Sequence, residues 1–238
     1  SPDDALIAVT RLSAAPAPYR EQVRSLLLSD GPARDTLLAV LGASTALGDH
    51  LVRHPDDLDA LGEPTPIGID GAVVRAELLL AVGAEPDAAA PVATVTGGAG
   101  IDRMRRAYHR RLLMIAAADL VDPEPISLLA AVGSALADLA AAALEAGLAL
   151  ARAEQADHGA GVRLAVMGMG KTGGRELNYV SDVDVIYVAE PVDGVEEQAA
   201  LASATRLATG MARACSAPSG EPALWPVDDS PRRPLTMN

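Results

Sequence analysis

The chain has 238 residues and a formal net charge of −13; half of its residues are hydrophobic, yet only 2% are aromatic and Phe is absent. That length suits one large domain or two small ones with a sizeable core. Because general nucleic-acid affinity depends on Lys and Arg neutralising phosphates, the acidic balance argues against nucleic acid as a partner. The single cysteine, Cys215, excludes an intramolecular disulfide and favours a reducing compartment, so we expect a cytoplasmic protein.

The stretch from Ile126 to Leu150 is apolar enough to be taken for a membrane span, but Asp138 and Glu145 lie well inside it. An acid near the centre of a span costs roughly 2.5–3.5 kcal/mol on insertion scales, and Ala offsets little of that. We therefore expect a buried helix of a soluble protein and no membrane partner. The chain opens at Ser1 without a signal-peptide pattern, which is typical of a fragment or a processed start.

The first 155 residues read as helices separated by short breaks, in keeping with their abundance of Ala and Leu. The predicted helices are Tyr19 to Leu28, Ala33 to Leu41, Ala46 to Arg53, Pro55 to Leu61, Ala72 to Val82, Asp102 to Leu120 and Ser127 to about Glu154. We expect Ser44 or Thr45 to cap the third helix and Asp70 to cap the fifth. The stretch from Gly83 to Gly100 reads as a loop.

The two long helices each have one apolar face, the spacing expected in an antiparallel bundle. On the first helix the apolar residues are Met104, Tyr108, Leu112 and Ile115, while Arg103, Arg106 and Arg110 lie on another face. On the second helix they are Leu129, Val132, Leu136, Leu139, Ala143 and Leu150. We interpret the arginine stripe as a solvated helix face; contact with a nucleotide or an acidic partner is the alternative.

The pattern changes after the segment from His158 to Gly161. The predicted elements beyond it are strands over Val162 to Met167 and Val183 to Ala189, a helix from about Val195 to Cys215, and a strand-like run from Leu224 to Val227. The sequence therefore predicts an α+β protein, with an all-α helical region over residues 1–158 and an α/β part over residues 159–238.

A glycine-rich segment, Gly168 to Gly174, follows the first predicted strand and invites two familiar interpretations that fail. Its G-x-G-x-x-G spacing matches a dinucleotide-binding fingerprint, but the next strand begins about ten residues later, too soon for a crossover helix. Its Gly-Lys-Thr also resembles the end of a P-loop, but Ala165 stands where that motif requires glycine. The Gly173-Gly174 pair would also interrupt the helix that a P-loop needs.

A third interpretation accounts for the whole segment: a Gly-Gly turn, a short helix from Arg175 to Asn178, and then Asp182 and Asp184 at the start of the second strand. Alternate strand residues share a face, so the two carboxylates lie side by side. Close carboxylates repel unless a cation lies between them, and Mg²⁺ prefers oxygen ligands together with substrate phosphates. The Gly173-Gly174 turn would let backbone amides approach a phosphate at a helix N-terminus. An Asp-x-Asp that only faces solvent is the alternative.

The segment from Met169 to Ile186 resembles the signature of glutamine synthetase adenylyltransferase/adenylyl-removing enzymes. Leu41 to Pro55 and the Arg-rich helix from Asp102 are similar to segments that precede the catalytic core in that family. The resemblance reaches about residue 228 and implies a DNA-polymerase-β-type nucleotidyltransferase core. Family enzymes carry two such halves: the N-terminal one removes AMP from a tyrosine of glutamine synthetase by phosphorolysis, giving ADP, and the C-terminal one adds AMP from ATP.

The resemblance also implies residue roles. Mg²⁺ would be held by Asp182, Asp184 and, from a later strand, Asp228; the phosphate or nucleotide contacts would come from Gly170, Lys171, Gly173, Gly174 and Ser181. ATP, ADP and phosphate would be substrates or products, and glutamine synthetase the protein partner. A nitrogen-signalling regulatory protein is a candidate partner of the full-length enzyme.

The stretches from Ser44 to His50 and from Asn178 to Ser181 look more like the removing half than the adding half. We therefore expect Mg²⁺-dependent removal of AMP from glutamine synthetase, with adenylyl transfer from ATP as the alternative. After Val227 and Asp228, residues 229–238 lack the family's Arg-Pro-x-Gly-x-x-Gly continuation. We accordingly expect a truncated core, and a catalytically inactive fragment that only binds a partner stays open.

The remaining aromatic, histidine and cysteine side chains carry weaker signals. We expect Cys215 to be a core residue, and Tyr179 and Trp225 to pack beside the site. The four histidines show no ligand spacing to one another or to the cysteine, so the sequence does not predict a zinc site.

Overall fold

The computed structural model describes residues 1–62, 67–225 and, for the backbone alone, 227–228. In this part of the chain the helices are α1 (Pro2–Leu12), α2 (Ala17–Leu28), α3 (Pro32–Ala43), α4 (Thr45–Arg53), a 3₁₀ helix η1 (Pro55–Leu61), α5 (Gly71–Ala81), α6 (Gly97–Val121), α7 (Pro125–Ala153), α8 (Gly170–Gly173) and α9 (Glu197–Ser216). The strands are β1 (Val162–Gly168), β2 (Val183–Pro191) and β3 (Val227–Asp228). The predicted α+β class is confirmed.

Contacts divide the chain into two compact units, each made of two stretches of sequence. Unit 1 comprises residues 1–68 and 109–132, and unit 2 comprises residues 69–108 and 133–238. The three strands all follow residue 158, as expected. A domain boundary near residue 158 stays a prediction.

Unit 1 is held together by an aliphatic core in which α1 packs against α3 and α4. The buried members of this core are Ala8, Leu12, Val23, Leu37, Val40, Leu41, Leu47, Leu51, Leu58, Ala60, Leu61, Leu113, Ala116 and Ala117. With no Phe to fill space, small and branched side chains let the helices approach closely, as the composition indicates.

Two side-chain caps predicted from the sequence are present. The Ser44 hydroxyl accepts a hydrogen bond from the backbone N–H of Leu47 at 3.3 Å, at the start of α4. The Asp70 carboxylate accepts one from the N–H of Ala72 at 2.9 Å, at the start of α5. Each cap satisfies a backbone donor that the first turn of a helix leaves without a partner, so short polar side chains mark these boundaries.

Unit 2 contains the sheet, which has the strand order β1-β2-β3. β1 and β2 are antiparallel, with Gly168 opposite Val185, whereas β2 and β3 are parallel, with Asp184 opposite Asp228. Helix α9 packs against β1 and β2. This arrangement brings the end of β1, the start of β2 and the backbone of β3 to the same edge of unit 2.

Helix α7 has the length and hydropathy of a membrane span, although length and composition alone do not distinguish such a span from a core helix. Both of its central acids pair with arginines. Arg75 donates to Glu145 through Nε and Nη2, each at 2.6 Å, and Arg175 donates to Asp138 through Nη1 and Nη2, each at 2.7 Å. Paired acids and largely buried aliphatic side chains over 132–151 are what a core helix requires.

Three local predictions were wrong. Residues 175–178 do not form a helix; the short helix is α8, and the Gly173-Gly174 pair closes its C-terminal end. Leu129, expected in the core, is 73% exposed because it lies in the first turns of α7, before the buried stretch begins. The expected loop up to Gly100 is shorter, since α6 already begins at Gly97.

Candidate functional site

The glycine-rich segment forms a tight turn between β1 and β2. The backbone N–H of Met169 donates to the carbonyl of Asp184 at 2.9 Å, which fixes the start of the turn to the start of β2. A Cβ on Gly173 would collide with the carbonyl oxygen of Gly168, so this position tolerates only glycine. The turn therefore folds back over the end of β1, and the helix expected after Gly174 does not form. Phosphate binding by the turn stays a prediction.

Asp182 and Asp184 flank the buried Val183 at the start of β2. Asp182 is exposed and Asp184 is half-buried, whereas Val183 and Val185 are buried. This alternation puts the two carboxylates on one face of the strand, opposite Val183 and Val185, as predicted from strand geometry. Their role as metal ligands stays a prediction.

The Asp184 carboxylate faces the glycine turn at close range. A Cβ on Gly170, which has φ of +51°, would lie 3.0 Å from Oδ2 of Asp184. Because Gly170 carries no side chain, the backbone of the turn can lie this close to the carboxylate. Lys171, on the next residue of the turn, is exposed.

The other predicted contact residues lie in the same region. Ser181 is half-buried, and its hydroxyl is 3.5 Å from Oδ1 of Asp182, while Gly174 is exposed at the end of α8. The backbone of Asp228 pairs in register with Asp184, but the side chain of Asp228 lies outside the described residues. The described structure thus brings the predicted residues together, except for the side chain of Asp228.

The residues that are present suit a hard divalent cation. Within the described part of the chain, no Arg or Lys forms an ion pair with Asp182 or Asp184, and the backbone of the glycine turn lies close to the Asp184 carboxylate. Carboxylate oxygens together with substrate phosphate oxygens are the donor set that Mg²⁺ prefers. No cluster of three or more His, Cys, Asp or Glu side chains among the described residues is arranged to hold a metal ion. Two carboxylates would therefore need oxygens from elsewhere.

The sequence interpretation missed Arg105, which is fully buried on α6. Its guanidinium donates to the carbonyls of Ala214, Ala217 and Glu221 at 2.7–3.0 Å, around the C-terminal end of α9. Those residues precede β3, so Arg105 anchors the segment that leads to Asp228. Its position between Met104 and Tyr108, on the apolar face of α6, is the sequence signal that could have identified it.

Asp102, Cys215 and Tyr108 lie near the buried Arg105 guanidinium, and their pKa values are shifted. Burial tends to raise the pKa of Asp102, but hydrogen bonds from Ser219 and the N–H of Glu221 outweigh it and hold the pKa below its usual value. Burial raises the pKa of Cys215 to about 12 and that of Tyr108 to about 12, so the thiol and the phenol stay neutral.

Cys215 and Trp225 are buried, as predicted, whereas Tyr179 is not. Cys215 is fully buried, as expected, and Trp225 is buried with its indole N–H donating to the Tyr108 hydroxyl at 3.0 Å. Tyr179, in contrast, is 42% exposed.

Unit 1 contains a polar group that the spacing of its residues did not indicate. His50 and Asp57 are buried and lie 2.9 Å apart between Nε2 and Oδ2, and Arg110 donates to the other oxygen of Asp57 at 3.0 Å. The rings of His54 and His109 lie 5.1 and 5.8 Å from that of His50. Arg110, expected on a solvated face, thus forms an ion pair with a buried carboxylate.

The chain is similar over most of its length to curated bacterial nucleotidyltransferases. It is 45% identical over 229 residues to a bifunctional glutamine synthetase adenylyltransferase/adenylyl-removing enzyme of Streptomyces avermitilis, covering 95% of this chain and 21% of that protein. The proteins of the same name from Cutibacterium acnes and Mycobacterium avium are 46% and 39% identical, covering 81% and 90% of this chain and 19% and 20% of their own lengths. The chain spans about a fifth of the length of these relatives.

The family model for glutamate-ammonia ligase adenylyltransferase matches residues 34–234. The chain therefore belongs to this family, and the resemblance inferred from the signature is confirmed. The match includes the glycine turn, all three strands and the two aspartates.

Proposed function

We propose that this chain belongs to the adenylyl-removing half of its family, with a DNA-polymerase-β-type core that binds a nucleotide and Mg²⁺ beside Asp182 and Asp184. The observation that carries this proposal is the close approach of the Asp184 carboxylate to the glycine turn, with Met169 hydrogen-bonded to the backbone of Asp184 and Gly170 beside its side chain. Two acids without a basic partner in the described structure, next to a glycine-rich turn, suit a phosphate group accompanied by a cation.

The reaction would be the phosphorolysis of AMP-tyrosine on glutamine synthetase. An oxygen of inorganic phosphate forms a bond to the phosphorus of AMP, the bond from that phosphorus to the tyrosine oxygen breaks, and the tyrosine oxygen takes up a proton. The products are ADP and unmodified tyrosine. Bound Mg²⁺ would supply the positive charge that such a phosphoryl centre requires.

In this proposal the chain's own residues bind and orient. Asp182 and Asp184 would hold the cation, and Asp228, whose backbone pairs with that of Asp184, is the third ligand that the family resemblance implies. Lys171 extends from the exposed side of the turn, where an ammonium group is available to phosphate oxygens. Two stretches of sequence support the removing direction over the adding one: residues Ser44 to His50 and Asn178 to Ser181 look more like the removing half of the family.

The test is to incubate the chain with adenylylated glutamine synthetase, Mg²⁺ and phosphate and to measure ADP release. Asp184→Asn should abolish release, whereas Asp193→Asn, at an exposed acid in the turn that follows β2, should leave it unchanged. Transfer of AMP from ATP to unmodified glutamine synthetase, without any ADP release, would assign the chain to the adding half. Intact binding of ADP without either reaction would identify a binding fragment. No nucleotide binding at all would contradict the site.

A further inference from the structure

The turn that precedes the two aspartates ends in a backbone arrangement that normally uses glycine. The N–H of Glu176 donates to the carbonyl of Lys171 at 2.9 Å and the N–H of Arg175 to that of Thr172 at 3.3 Å, the paired bonds of a Schellman motif. In that motif the residue after the C-cap adopts a left-handed conformation. Here it is Arg175, with φ of +58°, and not one of the two preceding glycines.

An L-residue in the left-handed region costs roughly 1 kcal/mol, and glycine avoids that cost. The side chain at this position therefore has to contribute something that glycine lacks. The Arg175 guanidinium makes a two-pronged contact with Asp138, each bond at 2.7 Å, and donates to the hydroxyl of Ser134 at 2.6 and 3.0 Å. Both acceptors belong to α7.

The backbone of the turn also lies directly against α7. A Cβ on Gly133 would lie 3.2 Å from the Cα of Glu176 and 3.3 Å from the carbonyl oxygen of Arg175. Ser134 and Asp138 are four residues apart and so share one helix face. The close backbone approach at Arg175 and Glu176 and the hydrogen bonds from the Arg175 guanidinium thus fix this end of the turn to one position on α7.

Only six residues separate Arg175 from Asp182, and the other end of the turn is bonded to Asp184 through Met169. A turn fixed at both ends has a defined position relative to both carboxylates. We infer that Arg175 is a positioning residue: its clamp on Asp138 and Ser134 holds the turn in place beside Asp182 and Asp184, where a nucleotide phosphate and a divalent cation would bind. This inference rests on the proposed function and adds a residue to it.

The test measures binding of Mn²⁺ with ADP, following free Mn²⁺ by electron paramagnetic resonance. Groups that orient metal ligands typically contribute 10–100-fold to metal affinity, so Arg175→Ala should weaken binding by about tenfold. Arg175→Gly removes the backbone strain as well. It should still weaken binding, because binding depends on the contacts of the Arg175 guanidinium with α7 and not on the backbone conformation. Asp138→Asn, a milder change on the helix, should act in the same direction.

The matched control is Arg75→Ala. Arg75 makes an equivalent two-pronged contact with Glu145, also on α7, but it lies on α5 and not in the turn. This variant should bind Mn²⁺ and ADP like the unaltered chain even where it lowers the melting temperature. The double variant Arg175→Ala/Asp138→Ala should bind no more weakly than Arg175→Ala alone, since both changes remove one interaction. A purely structural role would instead make binding follow the melting temperature across all variants.

The outcomes are distinct. Binding by the unaltered chain, Arg175→Ala and Arg175→Gly with equal affinity would overturn the inference and leave the proposed function intact. Weaker binding in Arg75→Ala, to the same extent as in Arg175→Ala, would also overturn it. Failure of the unaltered chain to bind Mn²⁺ and ADP would refute the proposed site and the positioning role together.

Discussion

Replacing Arg105 with methionine should destabilise unit 2 severely. The guanidinium is fully buried and is the donor to three backbone carbonyls, those of Ala214, Ala217 and Glu221. Methionine keeps most of the aliphatic volume but offers these acceptors no donor. With roughly 1–2 kcal/mol lost for each carbonyl left without its bond, the expected cost is about 3–6 kcal/mol. That is a large share of the 5–15 kcal/mol typical of a folded domain.

The position of the charge adds to this cost. The carbonyls of Ala214 and Ala217 belong to the C-terminal end of α9, where the helix dipole favours a cation. Replacing a buried ion pair by apolar residues is often tolerated when both partners change, but backbone carbonyls cannot be replaced. Arg105→Lys should therefore be intermediate, because an ammonium keeps the charge but cannot reproduce the planar fork.

The assay is urea unfolding followed by the fluorescence of Trp225, the only tryptophan of the chain and a buried neighbour of this anchor. Arg103→Met is the control, since Arg103 lies on the same helix but is exposed and should change the free energy of unfolding by no more than about 0.5 kcal/mol. A loss below about 1 kcal/mol for Arg105→Met would refute the reasoning that the carbonyls depend on this guanidinium.

Three further predictions follow from buried groups and caps. Because burial raises the pKa of Tyr108 to about 12, the folded state keeps a proton that the unfolded state releases above about pH 10. The free energy of unfolding should therefore fall between pH 10 and 12 by up to about 1.4 kcal/mol per pH unit. Urea titrations at pH 9 and 11 should show a shallower fall for Tyr108→Phe. The Cys215 thiol, whose pKa is raised to about 12 by burial, should react with a thiol reagent at pH 8 only as fast as the chain unfolds, and immediate reaction in the absence of urea would show the burial to be wrong. Ser44→Ala removes the cap on α4 and should lower the free energy of unfolding by about 1 kcal/mol, whereas Ser29→Ala, outside any N-cap, should have a smaller effect.

Features that depend on neighbouring residues were predictable from the sequence. Ser44 and Asp70 cap helices through bonds to residues two or three positions ahead, so the local pattern was sufficient. The common face of Asp182 and Asp184 follows from strand alternation alone. The signature around them is long and specific, which explains why the family was identifiable.

The glycine turn shows where the local pattern becomes ambiguous. A Gly-Gly pair is compatible with either end of a short helix, and we assigned it to the beginning. The structure uses it at the end, because the carbonyl of Gly168 needs room beside Gly173. That requirement depends on how β1 meets the turn, which the pattern of glycines does not specify.

Contacts between distant segments were not predictable. Arg105 bonds to carbonyls 109–116 residues later, and backbone acceptors carry no mark in the sequence. Arg175 and Asp138 are 37 residues apart, and both were visible as charges, but nothing indicated that they meet. Asp138 was recognised only as an acid that argues against a membrane span.

These two arginines have related consequences for the proposed site. Arg175 joins the turn beside Asp184 to α7, and Arg105 joins the segment before Asp228 to α6. The carboxylates therefore belong to the part of the chain after residue 158, whereas the groups that hold their segments lie before it, at Asp138 and Arg105. Both sets lie within unit 2, which includes parts of α6 and α7 together with the sheet. In the proposed function, helices α6 and α7 therefore contribute to the geometry of the site. The predicted core over residues 159–238 alone would keep the carboxylates but would lose Arg105 and Asp138, which hold the segments that carry them.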